Sequence, residues 1–223
     1  MAERILNLYV GYAYTDAYWA LPESGRCEVR SQIARESGTT ADATHLYTVF
    51  PARSDIDVFI WSAWDADDPA VTEKAFTSYS ATAENWRQYL KATQTLWGFT
   101  RPSSYSRGKS EQDMDPLEGP RTSYLVVYPF SKTKEWYLMS MDARQGMMNE
   151  HIKIGKQFFD VKQLLVYSFG LQDHEFVVSY EVEVLTRFST LVNDLRNTEG
   201  RRYTLNDTPI ITAVHRTPEE FVR

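Results

Sequence analysis

With 223 residues, 43% of them hydrophobic, the chain can bury one large core or two small fused ones. A formal charge of −6 and a pI near 5.3 give no support for a nucleic-acid surface. The single cysteine, Cys27, excludes an intramolecular disulfide and fits a reducing compartment.

In chain order, the alternation in Ile5–Tyr14 predicts a strand. Residues 22–37 read as a helix with Glu23, Glu28, Arg30 and Arg35 on a solvated face. Residues 44–50 and 56–64 are two further strands, split by the turn-like run Pro51-Ala52-Arg53-Ser54-Asp55. Asp67, Asp68 and Pro69 open a helix predicted to run to about Lys91. With Asp65, these carboxylates read as helix caps that complement the dipole, in preference to a cation site. A strand follows over residues 93–100.

Residues 101–121, RPSSYSRGKSEQDMDPLEGPR, carry three prolines and two glycines. Two readings stand: a linker, or a cap over a ligand pocket in which Arg101, Tyr105, Arg107 and Arg121 reach anionic groups. The second half then repeats the first. A strand over 124–130, which Pro129 is expected to end, leads to a helix over 134–158. Strands over 163–169 and 175–183 flank a turn at Gly170-Leu171-Gln172-Asp173, and a helix over 186–197 and a strand near 209–215 complete the half. Glu181 and Glu183 share one strand face, expected to meet solvent. The twice-repeated β-α-β-β-α-β order predicts an α+β protein of two fused ferredoxin-like halves, 1–100 and 122–223. Together they would form a dimeric-type α+β barrel with helices outside.

The start, MAERILNLYVGYAY, lacks the basic and apolar blocks of a leader. Nor does any apolar run reach the roughly 20 residues that cross a bilayer. A soluble cytoplasmic protein is expected. Ser168 and Ser179 lack a nucleophile-elbow context, and there is no glycine-rich phosphate loop.

His151 is the residue to weigh. Met147, His151, Ile154 and Phe158 step by 4, 3 and 4, so they share a helical face. Gly155, one turn on, leaves the helix beside the imidazole without a side chain, where a flat ligand can approach. The residue is either a histidine bonded to a backbone group or a lone axial ligand to a haem iron. No second His or Cys at zinc spacing accompanies it.

The ordered set YPFSKTKEWY, MMNEHIKIG, YSFGLQDHEFVVSYE and LVNDLRNTEGRRYTLNDTP resembles the chlorite dismutase family, which includes the coproheme decarboxylases. The resemblance is strong over 124–215 and faint before residue 96. It implies a haem cofactor, iron coproporphyrin III or haem b, with His151 as proximal iron ligand and Gly155 beside it. Glu199 would accept the hydrogen bond from the other imidazole nitrogen. Chlorite-degrading members carry an arginine five residues before the serine of the turn. Here that place holds Gln163, an amide with no cation for chlorite, which resembles a decarboxylase lineage. In such enzymes a tyrosine of the YPxSK segment is redox-active, which implies Tyr128, with Lys132 on a porphyrin carboxylate and Trp136 at the cofactor. Tyr105 and Arg121 are the nearest counterparts of propionate contacts, and Arg201 stands near a propionate-binding serine of some members. The implied reaction is peroxide-dependent decarboxylation of iron coproporphyrin III to haem b. A haem b peroxidase, a chlorite-degrading enzyme and a non-catalytic haem-binding barrel are the alternatives. The implied partners are porphyrin and hydrogen peroxide, with no nucleic acid and no membrane, in a homo-oligomer with a pentamer favoured.

Overall fold

The alternating apolar run at the start forms strand β1 (Ile5–Tyr14), followed by a short α1 (Asp16–Trp19) and by α2 (Glu23–Ser37). Strands β2 (Ala43–Thr48) and β3 (Val58–Asp65), helix α3 (Ala70–Glu84) and strand β4 (Leu90–Phe99) complete the first repeat. The second contains β5 (Tyr124–Lys132), α4 (Lys134–Leu138), α5 (Met141–Gly155), β6 (Lys162–Tyr167), β7 (Phe176–Val182) and α6 (Leu185–Arg196). A 3₁₀ turn (Glu199–Tyr203), β8 (Thr204–Asn206), β9 (Ile211–Arg216) and α7 (Pro218–Val222) end the chain. This is a computed structural model, and it describes residues 4–105, 108 and 110–223.

Three elements depart from the sequence expectation, each for a local reason. The helix expected to reach Lys91 stops at Glu84, and residues 85–89 turn instead. Trp86 is buried in that turn, and its indole N–H donates to Glu36 on α2 at 2.8 Å. The helix expected over 134–158 is broken between α4 and α5. Ser140 is extended (ψ 155°), and its hydroxyl accepts from the Ala143 N–H, which restarts the helix. Strand β5 runs past Pro129 to Lys132. The Phe130 carbonyl accepts from Glu175 beside β7, so Pro129 faces the other side, where pairing with β9 has ended at Val127. A missing N–H costs no ladder bond there.

All strand pairs in the barrel are antiparallel. The order β7-β6-β4-β1-β3-β2-β9-β5, closed by β5–β7, joins the two four-stranded repeats at two seams. One seam pairs β2 with β9 (Tyr47 opposite His215), and the other pairs Phe99 of β4 with Tyr167 of β6. At the second seam Gly98 is obligatory. A Cβ there would collide with the Tyr167 carbonyl and would lie 2.6 Å from the Ser168 hydroxyl, which itself donates to the Trp97 carbonyl.

Closure creates three apolar layers. Tyr9, Phe59, Trp61, Leu125, Val127 and Val177 fill the barrel interior. A second layer packs the first repeat's sheet against α2 and α3, and a third packs the second repeat's sheet against α5 and α6. Interior positions such as Trp61 are fully buried, so truncation to alanine would cost about 3–5 kcal/mol.

Glu181, expected at the surface, is 3% exposed. Barrel closure buries both faces of β7, and the Glu181 carboxylate meets Arg121 at 3.4 Å inside one end of the barrel. Burial foremost raises its pKa to about 7, with Arg121 opposing. Residues 110–121 are therefore not a free linker. Met114 enters the barrel core, the Pro116 carbonyl bonds His45 at 2.9 Å, and the Arg121 guanidinium donates to the carbonyls of Asp115 and Glu118.

Candidate functional site

The helix-facing side of the second sheet carries Val126, Tyr128 and Phe130 of β5, Phe176, Val178 and Tyr180 of β7, and Gln163, Leu165 and Tyr167 of β6. Register places them in rows, Val126–Tyr180–Gln163 and Tyr128–Val178–Leu165 among them. Helix α5 lies opposite, and Ile154 joins Tyr128 in the same apolar layer. Unlike α2, α3 and α6, α5 buries none of its residues fully. A Cβ on Gly155 would meet nothing within 4 Å. The helix surface beside His151 is thus open to a flat body, as the spacing suggested.

His151 is held neutral. Burial lowers its pKa, the nearby Lys132 charge lowers it further, and Glu150 opposes weakly. A neutral imidazole has the lone pair a metal needs. Among the described residues no group of three or more His, Cys, Asp or Glu could cage a metal ion by itself. The donor set fits one axial bond to an iron whose other ligands come from a macrocycle.

Lys132 leaves β5 toward the 3₁₀ turn, where its ammonium donates to the Gly200 carbonyl at 3.2 Å and the Thr204 hydroxyl at 3.4 Å. It also lies 4.6 Å over the Trp136 ring, whose edge neighbours are Tyr105 and Tyr203. Lys132, Trp136 and Tyr105, all selected from sequence, are thus brought together. Tyr137 donates a short hydrogen bond to Glu175, which also accepts from the Lys132 backbone N–H. Burial, followed by Arg201, lowers the Lys132 pKa to about 8.

This shift makes a prediction with a definite sign. Between pH 8 and the ordinary value of 10.5 the folded chain has released a proton that the unfolded chain keeps. Wild-type stability should therefore rise across that window by up to about 3 kcal/mol relative to Lys132→Met. Denaturant melts of both proteins at pH 7 and 10 measure it, and parallel pH profiles would contradict the burial of the charge.

Beside Tyr128, Asp207 binds both Arg196 (2.7 Å) and Arg201 (2.8 Å), leaving one net positive charge. A cleft of about 180 Å³ opens between Tyr128, Phe188, Ser189, Val192, Arg196 and Ile210. Arg196, Asp207 and Tyr180 were not selected from sequence. The alternation of β7 could have indicated Tyr180, and the other two are visible only in three dimensions. A larger cavity of about 290 Å³, among Arg121, Ser123, Glu183, His215 and Arg216, opens at the barrel end and takes no lining residue from α5.

Gln163 is fixed by the connecting segment. Its N–H donates to the Gln112 carbonyl at 2.7 Å, and its carbonyl accepts from Met114 at 2.9 Å. The Gln112 side chain donates to the carbonyls of Gly155, Phe158 and Val161, tying the end of α5 to the start of β6. One residue thus sets the spacing between the His151 helix and the Gln163 strand.

Two residues selected from sequence lie apart from this arrangement. Arg121 does not border this slot, because its guanidinium turns into the barrel end, with its side chain 6% exposed beside Glu181 and 5.4 Å from the Trp61 ring. The Glu199 carboxylate pairs with Arg202 at 3.4 Å and is largely exposed, while only its backbone N–H is tied to α5, through Glu150. Arg101 stacks 3.9 Å from the Tyr167 ring centre. Arg107 lies outside the described residues.

Fold and slot together define a two-repeat, helix-covered α+β barrel whose second sheet faces a helix bearing one neutral histidine. The family profile described as chlorite dismutase matches residues 25–216. The chain belongs to the chlorite dismutase family. Over 180 residues it is 28% identical to a coproheme decarboxylase of Mycolicibacterium smegmatis, covering 79% of this chain and 74% of that protein. A coproheme decarboxylase of Staphylococcus carnosus is 30% identical over 124 residues, covering 48% of this chain and 49% of the relative. The chlorite dismutase of Candidatus Nitrospira defluvii in complex with imidazole superposes with a TM-score of 0.82 at 18% identity, over 98% of this chain and 93% of that one. The match reaches well before residue 96, so the first repeat belongs to the family although its residues carry little of the resemblance.

Proposed function

We propose that this chain is a haem-binding oxidoreductase that converts iron coproporphyrin III to haem b by peroxide-dependent loss of two propionate carboxylates. The observation that carries the reading is the pairing on one sheet face of a neutral amide, Gln163, with a phenol, Tyr128, opposite the open helix of His151. An anion-degrading site would need a cation where Gln163 stands. When bound, the porphyrin iron supplies the peroxide-driven one-electron oxidations.

The chain's own residues do the rest. His151, on α5, would hold the porphyrin iron. Lys132 and the Arg196–Asp207–Arg201 cluster offer positive charge to carboxylates, and Trp136 with Tyr105 walls the slot beside Lys132. Tyr128 gives up its phenolic hydrogen to the first oxidising equivalent of peroxide and takes one back from a propionate β-carbon; the second equivalent removes one electron from the carbon radical as its bond to the carboxylate breaks, so carbon dioxide leaves and a vinyl group remains. Burial raises the Tyr128 pKa well above the ordinary value, so at neutral pH the group is a full phenol that must lose proton and electron together.

The test adds iron coproporphyrin III and follows the visible spectrum, then the masses of products after peroxide. Stepwise loss of two carboxylates is expected, and a porphyrin that binds but keeps all four propionates would refute the reading. The cleft at Tyr128, walled by α6, is smaller than the roughly 300–1,000 Å³ of ligand sites, so the helices over this sheet face should move outward on loading. Hydrogen exchange along α5 in the same samples reads that motion.

Exposing Gln163 to replacement costs little, within about 0.5 kcal/mol of stability at a surface position. Gln163→Arg should turn on oxygen release from chlorite, measured with an oxygen electrode, where the unmodified protein gives almost none. Strong oxygen release by the unmodified protein would overturn the role of the neutral amide. Assembly into a homo-oligomer is supported by large apolar side chains left exposed, Leu138 at 86% and Phe159 at 73% among them. Light scattering should give a multiple of the 25.8 kDa chain, and a monomer at micromolar concentration would remove this expectation.

A further inference from the structure

His151 is not the only polar residue on the inward face of α5. Half-buried positions recur at Arg144, Met148, His151 and Gly155, in steps of 4, 3 and 4, and exposed residues fill the opposite face. At 3.6 residues per turn these four fall within about 60° of one another. Ile154, on the same side, packs into the apolar layer of the second sheet. An arginine therefore stands in line with the histidine on the face turned to the slot.

The helix itself gives no reason for a cation there. Arg144 is the fourth residue of α5, within the first turn, where the helix dipole disfavours positive charge. Its Nε is buried without a hydrogen-bond partner, and among the described residues its guanidinium forms no ion pair. A buried cation left in that state costs folding free energy. Lys132, Arg196 and Arg201 are by contrast engaged, the first with Gly200 and Thr204, the other two with Asp207. Tyr137 lies near enough to sense the Arg144 charge, yet its hydroxyl donates to Glu175. Next to Arg144, the Gln145 amide donates to the Tyr105 carbonyl at 3.1 Å, which ties this end of α5 to the slot wall.

Distance decides what this cation can meet. Seven residues separate Arg144 from His151, about 10 Å of helix rise with only about 20° of rotation. An axial ligand stands perpendicular to the ring it binds, so a ring held by His151 extends along the helix. Its rim, where porphyrin carboxylates sit, comes level with Arg144. Lys132 serves a different edge, because it bonds the 3₁₀ turn, whose Glu199 N–H is fixed to Glu150 beside His151. Cations at two separate edges suit a porphyrin with carboxylates around its rim.

We propose that Arg144 is a second carboxylate anchor of the slot, binding a rim propionate of the porphyrin substrate. This rests on the reading above and deepens it by adding a specificity-determining residue. A guanidinium takes a carboxylate through paired hydrogen bonds, and loading gives the buried Nε the partner it lacks. The role is binding alone, with no bond made or broken at Arg144.

Two measurements test this, and the first needs no porphyrin. Arg144→Gln should melt at the wild-type temperature or above, because the variant loses no interaction that the folded chain makes. A fall of more than about 4 °C would mark a structural arginine and overturn the proposal. The second titrates iron coproporphyrin III into both proteins and follows the Soret band. Arg144→Gln should bind about tenfold more weakly, the effect of losing one charged hydrogen bond, with Arg144→Lys between the two. The tetramethyl ester, with the same ring and no carboxylate charge, should bind both proteins alike. Unchanged affinity for the free acid, or an equal loss for the ester, would overturn the anchor. Porphyrin that binds by this pattern but keeps every propionate after peroxide would count against the decarboxylase reading and leave the anchor standing. A wild-type protein that takes up no porphyrin would overturn both.

Discussion

Tyr128→Phe should bind iron coproporphyrin III like the wild type and fail to decarboxylate it. The ring stays, so the packing of β5 against β7 and α6 is kept. The stacking of its ring on Tyr180 is kept as well. The rate should fall more than about a hundredfold, equivalent to roughly 2.7 kcal/mol of barrier. Lys132, four residues along, is the useful control. Its loss removes a positive charge near the 3₁₀ turn and should impair carboxylate positioning while leaving the phenol in place. Chromatography of four-, three- and two-propionate porphyrins after a fixed peroxide dose separates the two defects. Full conversion to haem b by the phenylalanine variant would remove Tyr128 from the mechanism.

His151→Ala should abolish the protein's own axial ligation. No second histidine stands on the exposed face of α5, and the open surface at Gly155 offers no replacement donor. Porphyrin affinity should drop by roughly a hundredfold, the upper end of what loss of even an outer partner costs a metal site. The fold should survive, because α5 buries none of its residues fully and His151 is not part of the third apolar layer. Added imidazole should restore a five-coordinate spectrum in the variant. A variant that keeps such a spectrum without imidazole would show that another residue holds the iron.

The sequence by itself determined the repeated β-α-β-β-α-β order, the helix face of Met147, His151 and Ile154, the gap at Gly155, and the strand positions of Tyr128 and Gln163. These follow from local rules, because period, turn residues and glycine act within a few positions of chain. It also identified the chlorite dismutase family, through four segments of the second repeat. Lys132, Trp136 and Tyr105 emerged as neighbours.

Tertiary structure decided which side of each strand is which. In a closed barrel covered by helices both strand faces are buried, so alternation loses its contrast between water and core. That is why Glu181 reads as a surface residue and proves to be inside, and why Arg121 is drawn to it and away from the slot. It is also why Tyr180 is inconspicuous in a run of seven buried residues, yet stands beside Tyr128 once register is known. Glu199 pairs with Arg202 because a 3₁₀ turn, invisible to helical periodicity, follows α6 there. The segment 101–121 looks like a linker by composition. Only the closing of the barrel gives Met114 a core to enter and Gln112 three carbonyls to bind. Contacts between residues far apart in the chain settle these positions, and no local pattern carries them.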